Sequence, residues 1–144
     1  MSKPELENLA RIGKLVPESP SAREFNGLLA SGNARLADAK REVNSLASRF
    51  DLAYNASHAF ALAALRWHGY RSDNRYLVFQ SLPHTLNLAA PLWRILSKAH
   101  EMRNLAEYEG HLEINAQFLA DMIAAAEAVQ NAALKLLSPE PKAE

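Results

Sequence analysis

Glu107 and His111 stand four residues apart, the spacing at which a helix would present a carboxylate and an imidazole on one face as metal ligands. Gly110 falls between them and works against a shared helical face. Di-iron carboxylate bundles need Glu-x-x-His on two helices and a Glu from each of two others. The chain has no Glu-x-x-His and no His-Glu-x-x-His, and it lacks both the Gly-x-x-x-x-Gly-Lys phosphate cradle and the Gly-x-Ser-x-Gly nucleophile elbow. With no cysteine there is no thiolate zinc site, no cysteine nucleophile and no disulfide framework. Neither a metal nor another cofactor is expected.

The polar groups that remain gather in the run from Ala99 to Gly110. By helical arithmetic Arg103 lies next to Met102 and Ala106, at the edge of an apolar stripe, with Asn104 and Glu107 close by and His100 one turn earlier. Tyr108 falls further around the helix. On pattern alone this is an arginine packing its stem while its charge reaches water, with a solvated tyrosine hydroxyl. Elsewhere, His58 inside an apolar helix reads as a hydrogen-bonded core histidine, His68 beside Gly69 as a cap for helix-terminal carbonyls, and His84 after Pro83 as a turn residue. Arg66, Arg71 and Arg75 gather at a helix junction; they read as a solvated corner and, more weakly, as an RNA-binding patch.

These groups need helices to position them, and the pattern supplies little else. A short amphipathic segment, Pro4 to Leu15, is broken by Pro17-Glu18-Ser19-Pro20. The first long helix opens on Ser21 and Glu24 in capping-box spacing and carries the stripe Phe25, Leu28, Leu29, Gly32, Leu36, Ala39 and Val43. The second, about Leu46 to Gly69, is apolar almost all round, as the buried centre of a bundle would be. A third begins after Asn74 and ends at Pro83; a fourth starts around Pro91 and ends or bends at Gly110; a fifth carries Phe118, Met122, Ala126, Val129 and Ala133. The expected fold is all-α, an up-and-down bundle of four or five helices spanning residues 21–138. A short helix and proline-containing linker (1–20) precede it, and a frayed tail (139–144) follows.

The chain has 144 residues, sixteen Lys plus Arg and sixteen Asp plus Glu. Zero formal charge excludes binding to nucleic acid or anionic membrane by bulk charge, so RNA contact needs a local patch. The longest purely apolar stretch, Ala59 to Leu65, is too short to span a bilayer, and the first residues carry no signal core. A cytoplasmic protein without a membrane partner is the expectation.

The span from Ser21 to about Leu137 resembles a HEPN domain. The resemblance rests on helix order and on two stretches. One is Ala53-Tyr54-Asn55-Ala56 through Ala59-Phe60-Ala61-Leu62-Ala63 to His68-Gly69-Tyr70; the other is Arg103-Asn104-Leu105-Ala106-Glu107-Tyr108. Ribonuclease members of that family carry Arg, a polar residue, and His after four to six intervening positions, and two copies meet across a dimer to cleave RNA without metal. There the arginine stabilises the phosphorane-like transition state and the histidine moves protons between the 2′-OH and the leaving oxygen. Arg103 matches the arginine and Asn104 its polar follower. Tyr108, Glu109 and Gly110 occupy the histidine's permitted positions, and His111 lies one step beyond. Tyrosine, with an ordinary pKa near 10, is a poor base at neutral pH.

The Arg-Asn-x-x-Glu-Tyr form resembles a HEPN branch without the full nuclease pair, often encoded beside minimal nucleotidyltransferases; in related toxin–antitoxin pairs a tyrosine near the motif receives a nucleotide from the partner. The resemblance thus implies a homodimeric accessory protein of a toxin–antitoxin or defence system. It would bind RNA or a nucleotide through Arg103, Asn104 and Tyr108, with the polar ends of Arg103 and Tyr108 open to solvent near a two-fold axis. The alternatives are a metal-independent ribonuclease in which His111 or His100 replaces the missing histidine, and a structural helical adaptor.

Overall fold

Capping residues set where the helices begin. In the computed structural model, which describes residues 4–110 and 113–137, the elements in chain order are α1 (Pro4–Arg11), β1 (Val16–Pro17), α2 (Ala22–Ala39), α3 (Leu46–Trp67), β2 (Tyr70–Arg71), α4 (Arg75–Gln80), α5 (Leu82–Thr85), α6 (Ala90–Glu109) and α7 (Ala116–Leu134). Side-chain oxygens of Ser21, Ser45, Asn74 and Asn115 each accept a hydrogen bond from a backbone N–H in the first turn of α2, α3, α4 and α7. Pro91 sits in the first turn of α6, and Gly110 ends that helix in the left-handed region at φ 81°.

The fold is an all-α helical bundle. α3 lies at its centre, packed chiefly against α2 and α7, and buries Phe50, Ala53, Tyr54, Ala56, Phe60, Ala63 and Leu65. Gly32 permits the close approach of α2: a Cβ there would lie 2.5 Å from Cε1 of Phe60. Leu6 of α1 and Leu15 are buried in the same core, so residues before Ser21 pack with the bundle. Among the described residues no helix is long and apolar enough to cross a membrane.

Three local expectations change. Helix α2 stops at Ala39 rather than continuing through Val43, which is 81% exposed instead of extending the stripe. Pro83 does not end a helix; it sits in the first turn of α5, a position that needs no backbone N–H. A minimal antiparallel pair, β1 with β2, joins Val16 to Arg71 and Pro17 to Tyr70 where no strand pattern was visible. The proline-bounded linker thereby lies alongside the exit from α3. The tail from Ser138 onward and His111 lie outside the described residues.

Candidate anion site between α3, α4 and α6

His100, Arg103 and Asn104 stand at i, i+3 and i+4 on α6 and share one face. That face meets Tyr54 of α3, whose ring is buried between Phe50 and Phe79. Tyr54 Oη is 2.9 Å from His100 Nδ1, and Asn104 Nδ2 is 3.2 Å from His100 Nε2. The two bonds are coupled through the tautomer. When Nε2 accepts from the amide, Nδ1–H donates to Tyr54 Oη; with the amide turned over, Nε2–H donates to the amide oxygen and the tyrosine donates to Nδ1. Either arrangement uses a neutral imidazole with both nitrogens engaged.

Two guanidinium groups flank this unit. Arg103 Cζ lies 5.0 Å from the centre of the Tyr54 ring and Arg75 Cζ lies 5.6 Å from it, both at cation–π range. Arg103 comes from α6; its Nε donates to Asp51 Oδ1 at 3.1 Å, and its Nη1 is 3.6 Å from Glu107 Oε2. Arg75 comes from the first position of α4, and its Nη1 donates to Asn55 Oδ1 at 3.0 Å. Among the described residues no carboxylate lies within ion-pair distance of Arg75. Tyr76 completes the rim, its ring 5.7 Å from that of His100.

The electrostatics follow from burial and these cations. Burial, then Arg75 and Arg103, hold the His100 pKa below the ordinary histidine value, with Glu101 opposing. His58, one turn beyond Tyr54 on α3 and edge-on to Phe79, is pushed down to about 4 by burial, then by Arg75 and His100. Burial raises the Tyr54 hydroxyl, against the pull of Arg75 and Arg103. Near neutral pH the site therefore presents two fixed positive charges beside uncharged imidazoles and a protonated phenol.

No protein-family model matches the chain, and no curated protein or solved structure does.

The geometry of the site regroups the residues singled out in the sequence. Arg103, Asn104, His100 and Glu107 come together as the helix spacing implies, with Arg103 at the edge of the apolar face and 28% exposed. Tyr108 is 90% exposed and points away, since five residues turn a helix about 140° past a whole revolution. Arg75 leaves the expected arginine corner and joins the α6 residues.

Arg66 and Arg71 stay at that corner, which is not the solvated patch expected. Arg66 is 1% exposed; its Nε donates to Glu24 Oε1 at 2.8 Å, and its other nitrogens donate to the backbone carbonyls of Glu18 (3.0 Å), Ser19 (2.7 Å) and Tyr70 (3.3 Å). Arg71 pairs with Glu18 and Glu24. Five guanidinium donors suit a cluster of inward-facing carbonyls, which explains the burial.

The polar residues that sequence reasoning did not assign to the site are Asp51, Tyr54, Asn55, His58 and Tyr76. Tyr54 and His58 carried a usable signal: two polar rings at i, i+4 on an otherwise apolar central helix must find partners. His68 performs the capping expected of it, across elements, with Nε2 3.0 Å from the carbonyl oxygen of Thr85 at the end of α5.

Proposed function

We propose that this is a HEPN-like homodimeric protein of a toxin–antitoxin or defence system, a non-catalytic accessory linked to RNA or nucleotides and partnered by a minimal nucleotidyltransferase. The observation that carries this reading is the Arg103 guanidinium, held at the protein edge over the Tyr54 ring with His100 and Asn104 beside it. Its partners Asp51 and Glu107 are largely exposed, and exposed ion pairs are weak, so a phosphate able to accept two hydrogen bonds can displace them. The solvent-facing Tyr108 hydroxyl suits nucleotide transfer from a partner enzyme, and Leu105 and Tyr108 leave apolar surface on α6 for self-association.

The test is RNA binding by the purified protein in EDTA, with Arg103→Ala as the variant. Binding by wild type that falls about tenfold or more in the variant supports the reading; undiminished binding removes Arg103 from it.

One observation favours a second reading, a metal-independent ribonuclease. His100 is an uncharged imidazole one helical turn from Arg103, and both lie against Tyr54. In that chemistry His100 takes the 2′-OH proton and returns a proton to the 5′ leaving oxygen, while Arg103 stabilises the charge on the phosphorane. RNA cleavage in EDTA that is lost in both His100→Ala and Arg103→Ala would establish it. Absence of cleavage by clean dimeric wild type leaves the accessory role.

A further inference from the structure

The arginine with the fewest competing partners at this site is Arg75. It reaches Tyr54 from α4 while Arg103 reaches it from α6, so two guanidinium groups on different helices converge on one ring. Arg75 donates to the Asn55 amide oxygen and also hydrogen-bonds the Tyr54 side chain, both neutral groups, so of its five donors some remain for a ligand and no carboxylate competes for them. The surroundings are less hospitable to a long polyanion: the exposed Asp51 and Glu107 sit at Arg103, and the exposed Glu101 acts on His100, so phosphates on either side would be repelled. Two converging cations inside an acidic rim suit one compact, doubly charged anion better than an extended backbone of singly charged diesters. Next to them the Tyr76 ring is 37% exposed and leans on His100, a surface of the size and chemistry on which a base stacks.

We infer that Arg75 and Arg103 form a clamp for a single terminal phosphate, with Tyr76 as the platform for the attached base, so that the ligand is one nucleotide end, either free or at the terminus of an RNA. This rests on the nucleotide-linked reading above and narrows it. The phosphate enters between the guanidiniums and displaces Asp51 and Glu107 from Arg103. His100 lies beside it and can donate a hydrogen bond once Asn104 or Tyr54 releases a ring nitrogen.

Calorimetric titration at low salt tests this with adenosine 5′-monophosphate, adenosine, inorganic phosphate and a ten-residue RNA carrying either a 5′-phosphate or a 5′-hydroxyl. The monophosphate should bind at least about tenfold more tightly than adenosine, and Arg75→Ala should abolish that difference. Arg75→Lys, which keeps the charge and the folded surface but loses the planar fork, should recover only part of it. Tyr76→Ala should bring the monophosphate down to the affinity of inorganic phosphate, a loss of about tenfold. Preference for the phosphorylated RNA identifies a strand end as ligand; equal binding of free monophosphate and phosphorylated RNA identifies the nucleotide itself. RNA binding that ignores the end group and needs Arg103 but not Arg75 overturns the clamp and leaves the RNA-linked reading standing. If neither RNA nor monophosphate binds, both are overturned.

Discussion

The Tyr54 hydroxyl and His100 Nδ1, 46 positions apart in the chain, meet at 2.9 Å and fasten α6 to the central helix. The contact brings a buried phenol to the edge of the core and orients an imidazole toward the two arginines. Tyr54→Phe keeps the packing of the ring but removes the bond. It should cost about 1 kcal/mol in urea unfolding and free the His100 ring, seen as a change in its titration by NMR. An unchanged His100 titration would mean the hydroxyl does not position it.

Arg66 should be the most costly surface-distant charge to remove. Arg66→Ala leaves three carbonyls and Glu24 without their shared donor, and the expected loss is roughly 3 kcal/mol. Arg71→Ala, at the exposed end of the same network, should cost under about 1 kcal/mol. Chemical denaturation of both variants gives the comparison, and equal losses would mean that burial does not separate the two arginines.

Gly32→Ala sets helix propensity against packing. Alanine favours an exposed helix interior by about 1 kcal/mol over glycine. Here the new methyl would meet the fully buried Phe60 ring, which has no room to retreat. The net effect should be a destabilisation of about 1–3 kcal/mol, read from the urea midpoint.

Acid should weaken the fold in two successive, partly overlapping windows. The folded His58 pKa, about 4, lies below its ordinary 6.5, so the fold favours the neutral ring. That contribution is complete above pH 6.5 and declines as pH falls toward 4; the shift corresponds to at most about 3 kcal/mol, and less after allowance for the ring's partial exposure. Glu24 is held below its ordinary 4.5 by hydrogen bonds from Arg66 and then Arg71, so its contribution is present above pH 4.5 and is lost as pH drops through its folded value. His58→Leu should reduce the slope of the stability profile between pH 6.5 and 4, the remainder coming from His100, and leave the lower window intact. A profile unchanged by that substitution would contradict the assignment.

What was legible in the chain was its local order. The serine and asparagine caps, the all-apolar α3, Pro91 and Gly110 are short-range signals, and each determines a helix end or a buried face. The Ser21–Glu24 box was only half informative. Ser21 accepts from the Glu24 backbone as the spacing implies, but the Glu24 carboxylate turns to Arg66 and Arg71, because charged donors outcompete a single backbone N–H. The site behaved similarly. Helical spacing grouped His100, Arg103 and Asn104, whereas Tyr54 and Arg75 reach them only through the packing of α3 and α4 against α6, which no local spacing encodes.

The Arg66 arrangement carries an evolutionary consequence. Three of its bonds go to backbone carbonyls, and two of these belong to the proline-flanked linker at Glu18 and Ser19. Carbonyls are common to every amino acid, so side-chain drift at position 19 should pass almost unnoticed. A single-residue insertion or deletion between Pro17 and Pro20 would instead carry those oxygens out of reach and break the β1–β2 register. The linker should thus vary in spelling across homologous chains while holding its length.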